Sequence, residues 1–405
     1  MKRLLLPLFM ILAVACGSSQ NQAGSQQMPA LKVGQYNADT GPTPVGVIPV
    51  ATLHDAQRNK DINLSIDYPA LGSSYPVIVF SHAYGLSDTS YEPLVSYWVS
   101  NGYVVIRPSH ADAGGEQTRE SLQDIYQRQQ QSQSGQRRQR RPQPNEQQQQ
   151  TATPPPFRSN PMETIWDKER EAQWRNRVED VKFVIDSLND LETRFPELAG
   201  KMDHSKIGVA GHSYGAFTTM SIGGVQTFGN PPLQLADRRV KAILAMSPFG
   251  AAENRGLTTQ SFATLRVPAM FMTGSQDRGA IESETPDWRK QAFDDSPAGD
   301  KYFVFIQGAR STSFTGGSAS AFDTTNRNVT PAPQGQYPSY PGSYPTQVQP
   351  MPGGATAGFM SDRNVFQKIK IASLIFWDAY LKGQPSAHDL LTQDKMPSGV
   401  TITAK

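Results

Sequence analysis

The sequence has a single cysteine in 405 residues, so no disulfide can form within the chain. It also lacks an excess of either charge, because 38 basic and 36 acidic residues leave a formal net charge of +2. A chain so balanced has no global field to attract nucleic acid or an acidic substrate, and no nucleic-acid partner is expected. Its His, Asp and Glu residues form no cluster with metal-ligand spacing, so no metal ion or cofactor is implied.

Long apolar runs are absent as well. The apolar run 4–14 follows two basic residues and is too short for a transmembrane helix, but it is typical of a secretory signal. Residues 13–16, Ala-Val-Ala-Cys, resemble the end of a bacterial lipoprotein signal, in which the cysteine becomes the acylated first residue. We therefore expect 1–16 to be a signal peptide with lipidated Cys16, and the alternative is a plain secretory signal with an incidental cysteine. By the same resemblance, Gly17 favours an outer-membrane anchor facing the periplasm.

Three stretches are poor in residues that could build a core. Residues 17–40 are rich in Gln, Ser and Gly and predict a flexible tether. Residues 116–161 are rich in Gln, Arg and Pro, and residues 316–358 in Pro, Gly, Ser and Tyr, which predicts two disordered insertions. The remaining chain, 41–390, is expected to form one domain, followed by a tail at 391–405.

Runs typical of β-strands recur eight times, with segments of helical spacing between several of them. This alternation predicts βαβ units and an α/β fold with an eight-stranded, mostly parallel sheet flanked by helices. Both insertions follow strands, at the edge where α/β folds place their sites. The predicted strands are 45–54, 62–68, 75–80, 103–107, 207–210, 240–246, 267–273 and 302–306, and the predicted helices include 91–100, 164–189 and 364–381.

The pentapeptide Gly211-His-Ser-Tyr-Gly215 directly follows the fifth predicted strand and precedes a helix-compatible segment. Strand, sharp turn and helix in this order are what a nucleophile elbow requires. The turn strains the serine backbone and needs very small neighbours, a need that the two glycines meet. Ser213 is therefore the candidate nucleophile, and the Tyr214 N–H at the helix N-terminus can stabilise an oxyanion. The alternative is a chance Gly/Ser loop.

Four segments together resemble α/β-hydrolases of the platelet-activating-factor acetylhydrolase and dienelactone-hydrolase-like group, which is close to bacterial cutinase-type esterases. The segments are VFSHAYG at 79–85, NGYVV at 101–105, IGVAGHSYG at 207–215 and VPAMFMTGSQD at 267–277. The resemblance implies an α/β-hydrolase fold with a serine esterase site. Dienelactone hydrolases proper use a cysteine nucleophile, so Ser213 favours the esterase side.

The resemblance also assigns roles within that site. It makes Ser213 the nucleophile, the N–H groups of Tyr84 and Tyr214 the oxyanion hole, and Asp277 the triad acid, although an aspartate in a turn is the alternative for Asp277. Ala83 departs from the glycine usual at its position. The implied triad histidine belongs in a motif resembling Gly-Ala-x-His-x-x-Phe, and here Ser311 occupies the histidine position.

A serine hydroxyl is a weak nucleophile without a base to take its proton. No histidine lies between His212 and His388 in the sequence; His110 and His388 are weak candidates for a substitute base. The sequence therefore predicts an esterase on small or short-chain esters whose activity is strongly reduced. A second hypothesis is a non-catalytic envelope protein that keeps the hydrolase scaffold to bind a ligand or a partner. A third hypothesis is that the low-complexity insertions are the functional parts and bind a partner. The oligomeric state stays open.

Overall fold

A computed structural model of the chain describes residues 30–113, 170–227, 233, 235–279, 283–316 and 355–405. The predicted signal with Cys16, the first part of the predicted tether, the insertion at 116–161 and most of the insertion at 316–358 lie outside these residues.

Nine strands form one sheet in the order β11-β10-β9-β8-β7-β5-β6-β4-β3, and two short strands, β1 and β2, pair separately. The six central strands β6, β5, β7, β8, β9 and β10 are parallel. At the two ends of the sheet the pairings β6-β4, β4-β3 and β10-β11 are antiparallel. The strands are β1 Lys32–Val33, β2 Tyr36–Asn37, β3 Val45–Asp55, β4 Lys60–Pro69, β5 Tyr75–Ser81, β6 Val104–Ser109, β7 Met202–His212, β8 Val240–Met246, β9 Ala269–Gly274, β10 Lys301–Ile306 and β11 Val400–Ala404.

Helices cover both faces of the sheet, as the nearly continuous apolar strands require. Alternate residues of β5 show this: Val77 and Val79 join the core of one face, and Ile78 and Phe80 join the core of the other. Helices α2 to α5 pack on the first face, and α1, α6 and α7 pack on the second. The helices are α1 Glu92–Ser100, α2 Arg170–Asp186, α3 Leu188–Arg194, α4 Tyr214–Gly223, α5 Pro286–Asp294, α6 Ala355–Tyr380 and α7 Pro385–His388.

The mixed, mostly parallel sheet confirms the predicted α/β fold, and all eight predicted strands are present. The prediction of eight strands was short by one, because β11 lies in residues expected to be a tail and pairs antiparallel with β10. Residues 30–40 were expected to belong to a flexible tether, but Val33 and Tyr36 of β1 and β2 are buried in the second core. Helix α6 begins at Ala355, inside the range expected to be disordered.

None of the helices in the described ranges is both long enough and apolar enough to cross a membrane.

Candidate active site

Ser213 stands between β7 and α4 in a strained backbone conformation. Its φ of 55° and ψ of −110° place it in a region that L-residues other than glycine rarely adopt. Such a conformation costs about 1–3 kcal/mol and persists only where the surrounding structure enforces it. Here the Ser213 N–H donates to the Met246 carbonyl oxygen at 2.9 Å, and the Ser213 carbonyl oxygen accepts the Phe217 N–H. The serine is thus held at the carboxyl edge of the sheet, partly exposed.

The two glycines of the elbow are required by contact. A Cβ at position 215 would clash with the Ser81 carbonyl oxygen and lie 2.7 Å from that of His82. A Cβ at position 211 would clash with the Gly215 carbonyl oxygen. The start of α4 can therefore approach the end of β5 only because both positions lack a side chain, which brings the elbow and the loop after β5 together.

Tyr84 and Tyr214, the two residues of the predicted oxyanion hole, are in side-chain contact. Their rings meet edge-on with centroids 6.2 Å apart. Tyr84 follows β5 in the segment 82–86, here called the oxyanion loop, and Tyr214 is the first residue of α4. Backbone N–H groups at the N-terminus of a helix carry a partial positive charge, and Tyr214 occupies the first position of α4. Its place next to Ser213 is therefore consistent with the predicted role of an oxyanion donor.

Arg177 of α2 binds the oxyanion loop through a buried side chain. It is 2% exposed, donates from Nη1 to the His82 carbonyl oxygen at 2.8 Å, and pairs through Nε and Nη2 with Asp112. Its guanidinium lies 4.4 Å from the centroid of the Tyr214 ring. Burial alone would raise the pKa of Asp112, but Arg177 outweighs that effect and holds the pKa at about 2. The Arg177–Asp112 ion pair therefore connects α2 to the oxyanion loop and to the Tyr214 ring.

Asp277, the predicted triad acid, is fully buried just past the end of β9. Its Oδ2 accepts a hydrogen bond from the Thr273 hydroxyl at 2.8 Å. Its Oδ1 accepts no hydrogen bond of regular geometry from the described residues, although Arg289 Nε lies 3.2 Å away. Burial raises the pKa of Asp277 and the Arg289 charge opposes the rise. The Ser247 and Thr273 hydroxyls also act to lower this pKa, so the buried carboxylate is surrounded by Arg289 and two hydroxyl groups.

Ser311 begins the short 3-10 turn Ser311–Thr315 after β10, at the same edge of the sheet as Ser213 and Asp277. We call the position of Ser311 the base slot. Its hydroxyl contacts the Nε2 atom of His212 at 3.0 Å. The His212 ring lies between Tyr91 and Phe314, with centroids 5.8 Å and 5.6 Å away. The residue that precedes the candidate nucleophile therefore reaches the base slot.

All six histidines lie in the described residues, and none hydrogen-bonds to Asp277 or to the Ser213 hydroxyl there. His110, the first candidate for a substitute base, is buried and uses both ring nitrogens, at 2.9 Å from Asp180 and 2.9 Å from Ser81. His388 lies near the start of β10, at the opposite edge of the sheet, where its Nε2 is 3.3 Å from the Tyr302 hydroxyl. The remaining ring contacts are those of His54 with Asp61, His82 with Ala83 and His110, and His204 with Glu192.

Two buried arginines were missed by the sequence analysis. Arg177 lies on the apolar stripe of its helix, between Trp174 and Val178, where a charge needs a partner. Arg289 of α5 is 2% exposed and donates to the carbonyl oxygens of Ser247 and Pro248 as well as to that of Asp277. The signal for α5 was Thr285-Pro286, because threonine caps the helix through the Trp288 N–H and proline suits its first turn.

In the part of the chain that the structure describes, no three His, Cys, Asp or Glu side chains come together in a way that could hold a metal ion.

A mostly parallel sheet covered by helices on both faces, with a strained serine between a central strand and its helix, defines the chain as an α/β-hydrolase. A family model described as "Platelet-activating factor acetylhydrolase, isoform II" matches residues 54–229. The match supports the placement of the chain in the group of α/β-hydrolases that are similar to this family. The matched residues contain the oxyanion loop and the elbow, whereas Asp277 and Ser311 lie beyond them. No curated protein matches the chain.

Proposed function

We propose that this chain is a serine carboxylic-ester hydrolase for small or short-chain esters, working through an acyl-enzyme at Ser213. The observation that carries the proposal is the strained Ser213 backbone at the start of α4, beside the oxyanion loop. Strain of this kind is stored at functional sites and has no structural use in an ordinary strand-to-helix turn. The family match supports the same class of chemistry, since its description names an acetylhydrolase.

In this mechanism the Ser213 oxygen attacks the ester carbonyl carbon, and the carbonyl oxygen becomes an oxyanion held by the N–H groups of Tyr84 and Tyr214. Collapse of the tetrahedral intermediate releases the alcohol, which takes up a proton, and leaves the acyl group on Ser213. Water then attacks the acyl-enzyme and frees the carboxylic acid and the serine. Each half-reaction needs a base for the attacking hydroxyl, and Asp277 would orient that base.

Within the described residues, no histidine is placed to act as the base. Ser311 stands in the base slot, and a serine hydroxyl cannot accept a proton near neutral pH. Loss of the triad histidine in a well-studied serine protease lowers kcat by roughly a millionfold and leaves about 10³–10⁴ over water. We therefore expect this chain to hydrolyse esters about 10³–10⁴ times faster than water alone, through oxyanion stabilisation and substrate binding.

Labelling with a fluorophosphonate probe tests whether Ser213 is a nucleophile. We expect slow, covalent and stoichiometric labelling of the full chain, followed by intact-protein mass spectrometry, and none in Ser213→Ala. An oxyanion hole stabilises the attack of Ser213 on the probe even without a base, which accounts for a slow rate. Labelling at Ser213 alone therefore supports the proposal. Labelling that persists in Ser213→Ala contradicts it.

The second candidate function is a non-catalytic protein that binds a ligand or an envelope partner on the same scaffold. It is favoured by one observation, the absence of any histidine hydrogen-bonded to Asp277 within the described residues. Under this hypothesis the elbow is inherited from an active hydrolase but has no catalytic role, and Ser213 does not react with the fluorophosphonate. The same labelling experiment therefore separates the two candidates.

We also propose that the protein is anchored to the bacterial cell envelope by a lipid on Cys16, facing the periplasm from the outer membrane. The sequence at 13–16 and the absence of any other cysteine support this. In cells fed labelled palmitate, the full chain should incorporate the label and partition with membranes. A Cys16→Ser variant should lose both properties, and retention of the label by that variant would overturn the proposal.

A further inference from the structure

The His212 ring joins three segments of the candidate site through hydrogen bonds. Its Nδ1 lies 2.8 Å from the Tyr91 hydroxyl oxygen, and its Nε2 lies 3.0 Å from the Ser311 hydroxyl oxygen. The Tyr91 hydroxyl also accepts the N–H of Ala83 at 3.1 Å. Because Ala83 belongs to the oxyanion loop and Ser311 to the base slot, one ring in the elbow links both.

The position of the protons follows from counting donors. Tyr91 is fully buried and its hydroxyl carries a single proton. Ala83 N–H is itself a donor, so within the described residues that proton can go only to His212 Nδ1. Burial lowers the pKa of His212 to about 3, and the ring is therefore neutral near neutral pH. A neutral imidazole that accepts at Nδ1 carries its own proton on Nε2.

This tautomer determines whether Ser311 donates or accepts a hydrogen bond. His212 Nε2–H donates to the Ser311 oxygen, so the hydroxyl proton of Ser311 points away from His212. Among the described residues no other side chain or backbone group accepts that proton, and Ser311 is partly exposed. The base slot thus offers a hydrogen-bond donor, whereas a triad histidine would offer an acceptor to the serine.

We propose that His212 is a positioning residue, which in its Nε2–H tautomer fixes Ser311 as a hydrogen-bond donor to an ester oxygen of the substrate and, through Tyr91, holds the oxyanion loop against the elbow. The inference rests on the proposed function, because it concerns the same site. It assigns no proton transfer to His212, whose accepting nitrogen is occupied by Tyr91. The role is to orient two groups that contact the substrate.

The tautomer can be read directly by nitrogen NMR of the full chain labelled with ¹⁵N-histidine. Ring nitrogens with and without a proton have well-separated shifts, and the His212 signals are identified as those missing from His212→Phe. We expect a protonated Nε2 and an unprotonated Nδ1 at neutral pH. A protonated Nδ1 would overturn the proposal, and this readout does not depend on any activity.

The positioning role is tested by comparing Tyr91→Phe with Tyr103→Phe. Both remove one buried hydroxyl, but the Tyr103 hydroxyl donates to Asp378 near the opposite edge of the sheet. Both variants should lose similar thermal stability. We expect Tyr91→Phe to slow fluorophosphonate labelling of Ser213 roughly tenfold, since small displacements of reacting groups are costly, and Tyr103→Phe to leave it unchanged.

Equal labelling rates in the two variants would contradict the positioning role. If the unmodified chain does not label at all, the proposed function fails on its own, and the tautomer measurement still decides whether His212 donates to Ser311. A Ser311→Ala variant completes the set: it should slow hydrolysis of p-nitrophenyl acetate, because it removes the proposed donor itself, whereas Tyr91→Phe leaves the donor present but no longer oriented. No effect of Ser311→Ala counts against the proposal.

Discussion

Replacing Ser311 by histidine should raise the hydrolysis of p-nitrophenyl acetate and butyrate by three orders of magnitude or more. The upper bound is roughly 10⁶, the factor lost when a triad histidine is removed from a serine protease. Two of the groups that such a base needs are present: Ser213 is held at the edge of the sheet, and Asp277 is buried just past the end of β9, with Arg289 Nε 3.2 Å from its Oδ1. We expect a histidine ring in the base slot to donate to this carboxylate and to accept from the serine.

The matched control is Ser311→Asn, which fills the base slot with a polar group of intermediate size that cannot take a proton. We expect Ser311→Asn to remain as slow as the original chain, and Ser311→His with Ser213→Ala to lose the whole gain. Initial rates over a range of substrate concentrations give kcat and KM for each variant. The gain should lie in kcat, because a base acts on the transition state rather than on substrate binding.

Two results would contradict this expectation in different ways. If the original chain is already fast and Ser311→His adds nothing, the base lies elsewhere, and the buried contacts of His110 with Asp180 and Ser81 would have to open for it to act. If the original chain and both variants are equally slow, the result favours the second candidate function, a non-catalytic binding protein on the hydrolase scaffold. The fluorophosphonate result then shows whether Ser213 retains any nucleophilic character.

Acid should destabilise the fold steeply, with a slope of about 2.5 kcal/mol per pH unit between pH 6 and pH 4. Burial, with a smaller contribution from neighbouring arginines, lowers the pKa of both His82 and His212 to about 3. The same side chains in the unfolded chain titrate near 6.5. Below that pH the unfolded state binds two protons that the folded state does not bind, so the free energy of unfolding falls as the pH falls through this window.

Other buried groups modify the slope. Burial also lowers the pKa of His110, which adds to the loss. Below about pH 4 the low pKa of Asp112 and of Asp180, each about 2, extends the loss in the same direction, because the unfolded carboxylates protonate first. The raised pKa of Asp277 has the opposite sign and stabilises the folded state in acid. A total loss of about 5 kcal/mol by pH 4 is comparable with the whole stability of many domains.

Urea unfolding followed by circular dichroism at pH 7, 6, 5 and 4.5 measures this slope. His212→Phe removes one of the two histidines while keeping a ring in the same place, and it should reduce the slope by about 1.4 kcal/mol per pH unit. His54→Gln is the control, since that side chain is 58% exposed in the hairpin between β3 and β4. An unfolding free energy that stays level between pH 6 and pH 4.5 would show that these histidines are not buried as neutral groups.

Structural features that depend only on residues close together in the chain could be predicted from the sequence alone. The apolar run 75–80 and the pentapeptide at 211–215 predicted a buried strand and a strained serine, because strand periodicity and the need for glycine are local properties. The role of position 311 came from the resemblance to a known family, whose motif matches the residues on both sides of Ser311. These features place the candidate nucleophile and the base slot at one edge of the sheet.

Only the tertiary structure decided which distant groups meet. Arg177 contacts the oxyanion loop, Arg289 contacts Asp277, and His212 contacts Ser311. Local sequence patterns could not predict these contacts, because the partners are far apart in the sequence. Strand β11 was missed because a short edge strand is buried on one side only and gives a weak signal. The physical reason is common to these cases: a buried polar side chain is satisfied by whatever the packing brings to it, and packing is a property of the whole fold.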